Sequence, residues 1–298
     1  MTLRHLLDVD DLNADELEEV LALGRAGTCD RVMEGRGAAL LFEKPSARTR
    51  HSTEMAVVQL GGHPVYVRPD EVGIDQRETA EDLARTLSQF HGAICARVFD
   101  HPVLERMAGA GSVPVVNLLS DLAHPLQAVA DLLTMAETVG LEGCTVAWVG
   151  DFSNVARSLA LGAAMAGVGV RVACPEGYGP SAADGDRVRA LGGTLEVTDS
   201  PAEAVAGVDA VSTDAWYSMG QEAEAATRRP LFEPYRVDAA LMAQAAPGAI
   251  FLHCLPAHRG EEVTDEVLDG PASQVWRQAG NRLHAARASL AWLMGARP

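Results

Sequence analysis

Apolar residues along the chain gather into short runs separated by stretches with helical spacing. In the first half the runs are AALLFE (38–43), PVYVRP (64–69), GAICARVF (92–99) and VPVVNLLS (113–120). In the second half they are TVAWVG (145–150), VRVACP (170–175), TLEVT (194–198), DAVSTD (209–214) and AIFLHCLP (249–256). Each run predicts a strand, and the segments between them, such as TEMAVVQLG, ETAEDLARTLSQF and NVARSLALGAAMAG, predict helices. Alternation of this kind predicts βαβ units, with parallel sheets covered by helices on both faces. The expected fold is α/β with two domains, each a mainly parallel sheet of four or five strands flanked by helices. The boundary is expected after PLQAVADLLTMAETVG (125–140), near Gly140 to Gly143, giving domains of 1–140 and 141–280. The last stretch, RLHAARASLAWLMG, has apolar residues at 283, 286, 290 and 293, the spacing of one helix face. Such a terminal helix can pack on either domain.

Composition narrows the function classes. With 298 residues, 48% of them apolar and 22% charged, the chain is long enough and apolar enough for two ordinary cores. A net charge of −17 argues against general binding to nucleic acid or to an anionic membrane surface, because both need basic patches. A small anion remains possible if the arginines that hold it are concentrated locally. The N-terminal MTLRHLLDVDDLNADELEEV lacks the continuous apolar segment of a signal peptide, and no later stretch approaches the roughly 18 apolar residues of a membrane span. The five cysteines (Cys29, Cys95, Cys144, Cys174, Cys254) form no C-x-x-C pair, which fits free thiols in a reducing compartment. A cytoplasmic location is the expectation.

Several loops carry candidate chemistry. FEKPSARTR follows a predicted strand and opens a helix, where free backbone N–H groups and the helix dipole favour an anion. Ser46 suits the N-cap, Thr49 adds a hydroxyl, and the planar fork of Arg48 matches phosphate geometry. The plainer alternative is a capped helix with two solvated arginines. In HPLQ, His124 and Gln127 are three apart and share a helix face, although a capped helix start with a half-buried histidine would look the same. Arg97 closes a strand and could point into the same crevice. In HCLPAHRGEEVT, His253 and Cys254 are strand neighbours expected to point to opposite faces, so a Cys-His pair would need His258. GDFSNVA resembles a first Rossmann turn but lacks G-x-G-x-x-G, and DAWYSMGQE reads as a loop in which Ser218 and Gly220 suit a backbone-donor turn.

Taken together, PSARTR, HPLQAVADLLT, GDFSNVA, DAWYSMGQE and HCLPAHRGEEVT, in this order, resemble the aspartate/ornithine carbamoyltransferase family over essentially the whole chain. D-x-x-x-S-M-G and H-C-L-P are similar to its ornithine branch. The resemblance implies transfer of a carbamoyl group from carbamoyl phosphate to the δ-amino group of L-ornithine, giving L-citrulline and phosphate, with no metal or organic cofactor. By the same similarity, Ser46, Ala47 (through its backbone), Arg48 and Thr49 would hold the phosphate. Arg97 would bridge phosphate and carbonyl oxygen, His124 would donate to that oxygen, and Gln127 would orient the carbamoyl NH₂. Asn154, Ser218 and Met219 would hold ornithine near its carboxylate, Asp214 its α-ammonium, and Cys254 with the Leu255 backbone would lie beside the δ-amine. Arg282 matches a position that reaches the carbamoyl group, which would return the C-terminal helix (281–298) to the first domain. A homotrimer with sites at subunit junctions is also implied.

This chain departs from the family pattern in two places. Ala47 stands where the phosphate loop usually carries a threonine, and the loop EVGIDQRET (71–79), which in the family reaches a neighbouring subunit's site, has Gly73 at the usual glutamine position. Gln76 or Arg77 would then take that task. Two other functions stay open from sequence: a carbamoyltransferase with a related acceptor such as N-acetylornithine or putrescine, and a catalytically idle binding homologue. A carboxylate at Asp214 speaks against the acetylated acceptor, which lacks the free α-ammonium.

Overall fold

The computed structural model describes residues 3–27, 30–217 and 222–298. The chain forms two compact units, one of residues 1–130 with 280–298 and one of residues 131–279. These divisions fall earlier than Gly140 and one residue before 281.

The first unit is built on a four-stranded parallel sheet of β1 (Gly37–Phe42), β2 (His63–Val67), β3 (His91–Arg97) and β4 (Val115–Leu119), in the order β2-β1-β3-β4. Its helices are α1 (Ala14–Arg25), α2 (Ala47–Gln59), α3 (Pro69–Val72), α4 (Ala80–Leu87) and α5 (His101–Ala110). The core beneath the sheet gathers Leu41, Ile94, Ala96, Leu104 and Met107. Strand order reverses between β1 and β3, so chain leaving their carboxyl ends departs toward opposite faces and opens a crevice there.

The second unit has a five-stranded parallel sheet: β5 (Thr145–Val149), β6 (Gly169–Ala173), β7 (Leu195–Thr198), β8 (Ala210–Thr213) and β9 (Ile250–His253), ordered β7-β6-β5-β8-β9. Around it lie α7 (Asn154–Met165), α8 (Ala182–Ala190), α9 (Pro201–Val205), α10 (Ala225–Phe232), α11 (Ala239–Met242) and α12 (Asp265–Leu268), numbered after α6 (Pro125–Thr138). Phe251 is fully buried among Val149, Val211 and Val263, a burial that contributes about 2–3 kcal/mol. Here the switch point is between β5 and β8. Gly150, at φ +127°, makes the turn out of β5, a conformation that a side chain would strain.

All nine predicted strands form, but their ends differ. PVYVRP stops at Val67 because Pro69 opens α3, and AIFLHCLP stops at His253, where Leu255 turns into the left-handed region at φ +61°. The last helix, α13 (Val275–Leu293), begins earlier than expected, so Arg282 stands inside it and not at its head. Cys95, Cys144, Cys174 and Cys254 are free thiols, while Cys29 lies outside the described residues. Among the described residues no helix is long and apolar enough to cross a membrane.

Candidate active site

In the first unit the side chains at the sheet's switch point converge on one hydroxyl. Ser46 caps α2, its Oγ accepting the Thr49 N–H at 3.3 Å and donating to Thr49 Oγ1 at 3.1 Å. Thr49 is buried, and its Oγ1 also accepts from Arg97 Nη1 (3.5 Å), at the end of β3, and from Arg282 Nη2 (2.9 Å), on α13. The other Arg282 nitrogen, Nη1, donates to Gln127 Oε1 at 2.7 Å. Thr49, Arg97, Gln127 and Arg282 are thus one buried cluster at the head of α2, joining four segments far apart in sequence. Ala47 occupies the first helical position and offers its backbone N–H. Arg48 follows it, half-buried and in no ion pair among the described residues.

His124 is positioned by the loop before α6. Buried Asn117 donates to Leu7 O (2.8 Å) and Ala123 O (3.2 Å), and Ser120 Oγ accepts the Ala123 N–H at 3.2 Å. That fixes the chain where it enters Pro125. The His124 pKa is driven well below its usual 6.5, first by burial and then by repulsion from Arg282 and Arg97. Lys44, in the loop after β1, is also lowered, first by burial and next by Arg97. Burial first, and the Arg97 guanidinium after it, therefore disfavour a further cation at both places. The imidazole is neutral at pH 7 and can donate one N–H without losing or gaining a proton.

In the second unit Asn154 opens α7 beyond the β5 turn, and Asp214 follows β8, so both flank the other switch point. Asp214 Oδ1 accepts the Ala215 N–H at 2.8 Å and a hydrogen bond from Cys254 Sγ at 3.2 Å. Burial raises the Asp214 carboxyl, against the pull of His253 and the Cys254 thiol. Beyond β9, the Leu255 N–H donates to His253 Nδ1 (2.9 Å), so Nε2 must carry the ring proton, and it faces Glu262 Oε1 at 3.1 Å. Glu262 is fully buried and also accepts the His258 N–H at 2.6 Å. This chain of bonds holds Leu255 in its left-handed turn, a conformation that costs about 1–2 kcal/mol.

Two expectations are corrected here. Because β9 ends at His253, the strand rule for its neighbour fails: a His253 ring nitrogen, Cys254 Sγ and an Asp214 oxygen all lie within 4.8 Å of one another. Three such groups have the reach to hold a metal ion, but both His253 nitrogens are already engaged, so a cation would have to break one of those bonds. The second correction concerns His258, which stacks on Tyr217 (5.1 Å between centroids) and faces Glu262 at 3.9 Å, while the Cys254 thiol donates to Asp214. Ser218 and Met219 lie outside the described residues. The segment leading to them is held by Arg228, whose Nη1 donates to Trp216 O (3.0 Å) and to Asp151 Oδ2 (2.6 Å). Lys44, Asp151, Arg228 and Glu262 carry no signal in the sequence, because a charged residue in a loop or on a short polar helix reads as solvated until its burial is known.

The chain matches two family models: "Aspartate/ornithine carbamoyltransferase, carbamoyl-P binding domain" over residues 4–137, and "Aspartate/ornithine carbamoyltransferase, Asp/Orn binding domain" over residues 142–293. It is 48% identical to an ornithine carbamoyltransferase of Mycolicibacterium paratuberculosis over 305 aligned positions, covering 99% of both chains. It is 45% identical to the anabolic ornithine carbamoyltransferase of Pyrococcus furiosus, covering 98% of this chain and 96% of that one. The solved structure of ornithine carbamoyltransferase from Pyrococcus furiosus superposes with a TM-score of 0.93 at 44% identity, over 99% of this chain and 98% of that one. With a buried arginine–threonine cluster in one unit, a carboxylate–thiol pair in the other, and full-length matches at these identities, the chain belongs to the aspartate/ornithine carbamoyltransferase family.

Proposed function

We propose that this protein transfers the carbamoyl group of carbamoyl phosphate to the δ-amino group of L-ornithine, releasing L-citrulline and phosphate, in arginine biosynthesis. The observation that carries it is the convergence of Arg97 and Arg282 on Thr49, with an imidazole that burial, and then their repulsion, keeps neutral.

Phosphate is held by the N-terminus of α2 through Ser46, the Ala47 backbone, Arg48 and Thr49, where helix dipole and free N–H groups favour an anion. As the amine adds to the carbonyl carbon, charge grows on the carbonyl oxygen. Arg97 and neutral His124 donate to it, and a fixed donor of this kind supplies about 3–4 kcal/mol of transition-state stabilisation. Gln127, whose Oε1 accepts from Arg282, orients the carbamoyl NH₂. The tetrahedral adduct collapses by breaking the carbon–oxygen bond to phosphate, which takes up the proton lost by the attacking amine and whose remaining negative charge Arg48 offsets. In the ornithine half, Asp214 pairs with the α-ammonium, Asn154, Ser218 and Met219 bind the carboxylate end, and Cys254 with the Leu255 backbone faces the δ-amine. The δ-amine must be unprotonated to attack, so turnover rises toward alkaline pH.

The assembly in this proposal is a homotrimer in which the 71–79 loop serves a neighbouring subunit. Arg77 already donates to the carbonyls of Asp70 (3.4 Å) and Glu71 (3.3 Å), which favours exposed Gln76 as the residue lent. A cytoplasmic location is in keeping with the free thiols.

The test is a product assay with carbamoyl phosphate and, in parallel, ornithine, N-acetylornithine, putrescine and aspartate. Citrulline from ornithine, with no comparable product from the other three, is expected. Equal or faster turnover of putrescine or N-acetylornithine would overturn the assignment of acceptor, and no turnover of any amine would leave the idle homologue as the answer.

A further inference from the structure

The anion cluster occupies the carboxyl ends of β1 and β3. At the other edge of the same sheet, where β1, β3 and β4 begin, lies a pocket of about 710 Å³. β3 has seven residues, so the two places are about 20 Å apart. The pocket's charge is unusual for this chain. Arg4, Arg36 and Arg297 line it, and no aspartate or glutamate does among the described residues, although the whole chain carries −17.

Two of these arginines are fixed in place. Their guanidinium groups stack against the Trp292 ring, 5.0 Å (Arg4) and 4.9 Å (Arg297) from its centroid. Acids behind the wall hold them there: Glu16 binds Arg4 through both carboxylate oxygens (2.7 and 3.0 Å), and Glu19 faces Arg297 Nε at 3.3 Å. Trp292 donates its own N–H to Glu19 at 2.7 Å. Arg297 Nη1 also donates to the carbonyls of Trp292 (3.1 Å) and Ala296 (2.7 Å), which leaves its Nη2 for a ligand. Arg36 differs, since its exposed side chain has no hydrogen bond or ion pair among the described residues. Beside these cations the wall is apolar. Met294 lines it, and Phe90, 71% exposed, stands at the rim, an uncommon placement for so large an apolar ring.

We propose that this pocket binds a small amphipathic anion, with an aromatic or branched apolar body against Phe90 and Met294 and a single phosphate or carboxylate head on Arg36 and Arg297. The cavity volume is that of a small-molecule site, and the pairing of an apolar wall with convergent donors is the usual form of one. Being at the opposite edge of the sheet, the site is filled independently of the catalytic one.

Calorimetric titration of the full chain with phenyl phosphate and with benzoate, each with and without saturating carbamoyl phosphate, tests this. One molecule per chain is expected to bind in either condition, and the tighter of the two probes identifies the preferred head group. Arg36→Glu should weaken binding by at least about tenfold, the loss of one charge-assisted contact. Phe90→Ser should weaken it independently, and both variants should form citrulline at the wild-type rate. The proposal is overturned if neither probe binds, if carbamoyl phosphate displaces the probe, if both variants bind it unchanged, or if inorganic phosphate competes as well as phenyl phosphate does.

Discussion

Arg48 and Arg50 both leave the head of α2, yet their surroundings give them different work. Arg50 Nε donates to Glu54 at 2.8 Å, and its guanidinium lies 3.9 Å from the centre of the Tyr66 ring. Arg48 is half-buried beside the capped turn and in no ion pair among the described residues. Replacing Arg48 by glycine is expected to lower kcat/KM at least about a hundredfold while the protein stays folded. Arg50→Gly should instead keep turnover and lose about 0.5–1 kcal/mol of stability. Steady-state kinetics and thermal melts on the two variants separate the roles, and near-wild-type turnover by Arg48→Gly would refute the phosphate assignment. Local chemistry of this kind was legible in the sequence: the N-cap at Ser46 follows from its place before a helical stretch. Arg282 was not, except through family resemblance. Its contact with Thr49 spans 233 positions, and no short-range pattern records a partner that distant.

At the scale of elements, the buried strands were readable because a strand buried on both faces must be an unbroken apolar run. Their ends were not. Where β9 stops depends on the Leu255 turn, and that turn depends on a hydrogen bond to His253 and on the buried Glu262 behind it. GEEVT reads as a solvated acidic loop, so nothing in it announces that Glu262 is fully buried. A similar hidden joint ties β9 to α6 and α13. Buried Gln278 accepts the His253 N–H at 2.8 Å and donates to Asp131 Oδ1 at 2.7 Å. Gln278→Leu removes both bonds at nearly constant volume, and should destabilise the protein by about 2–4 kcal/mol. Urea unfolding measures this; a loss under about 0.5 kcal/mol would mean that the joint is dispensable.

For the whole molecule, the response to acid is set by histidines that the fold keeps neutral. Burial is the main cause of a lowered pKa at His5, His91 and His124, with the strongest effect at His124. Below pH 6.5 the unfolded chain takes up protons that the folded chain refuses, so stability falls as pH falls through that value. One such group contributes a slope of up to about 1.4 kcal/mol per pH unit. His124→Gln should therefore flatten the dependence of unfolding free energy on pH between about 6.5 and 5, whatever it does to stability at neutral pH. Parallel slopes for variant and wild type would show that His124 is protonated in the folded state.

The return of α13 to the first unit also bears on how the protein is made. A ribosome delivers Ser46, Arg97 and His124 early, and the sheet that carries them can collapse while translation continues. The guanidinium that closes the cradle around Thr49 is synthesised more than 230 codons after it. With the proposed site, carbamoyl phosphate would meet an unfinished receptor until the very end of synthesis, and its capture by a nascent polypeptide would be withheld until Arg282 has emerged.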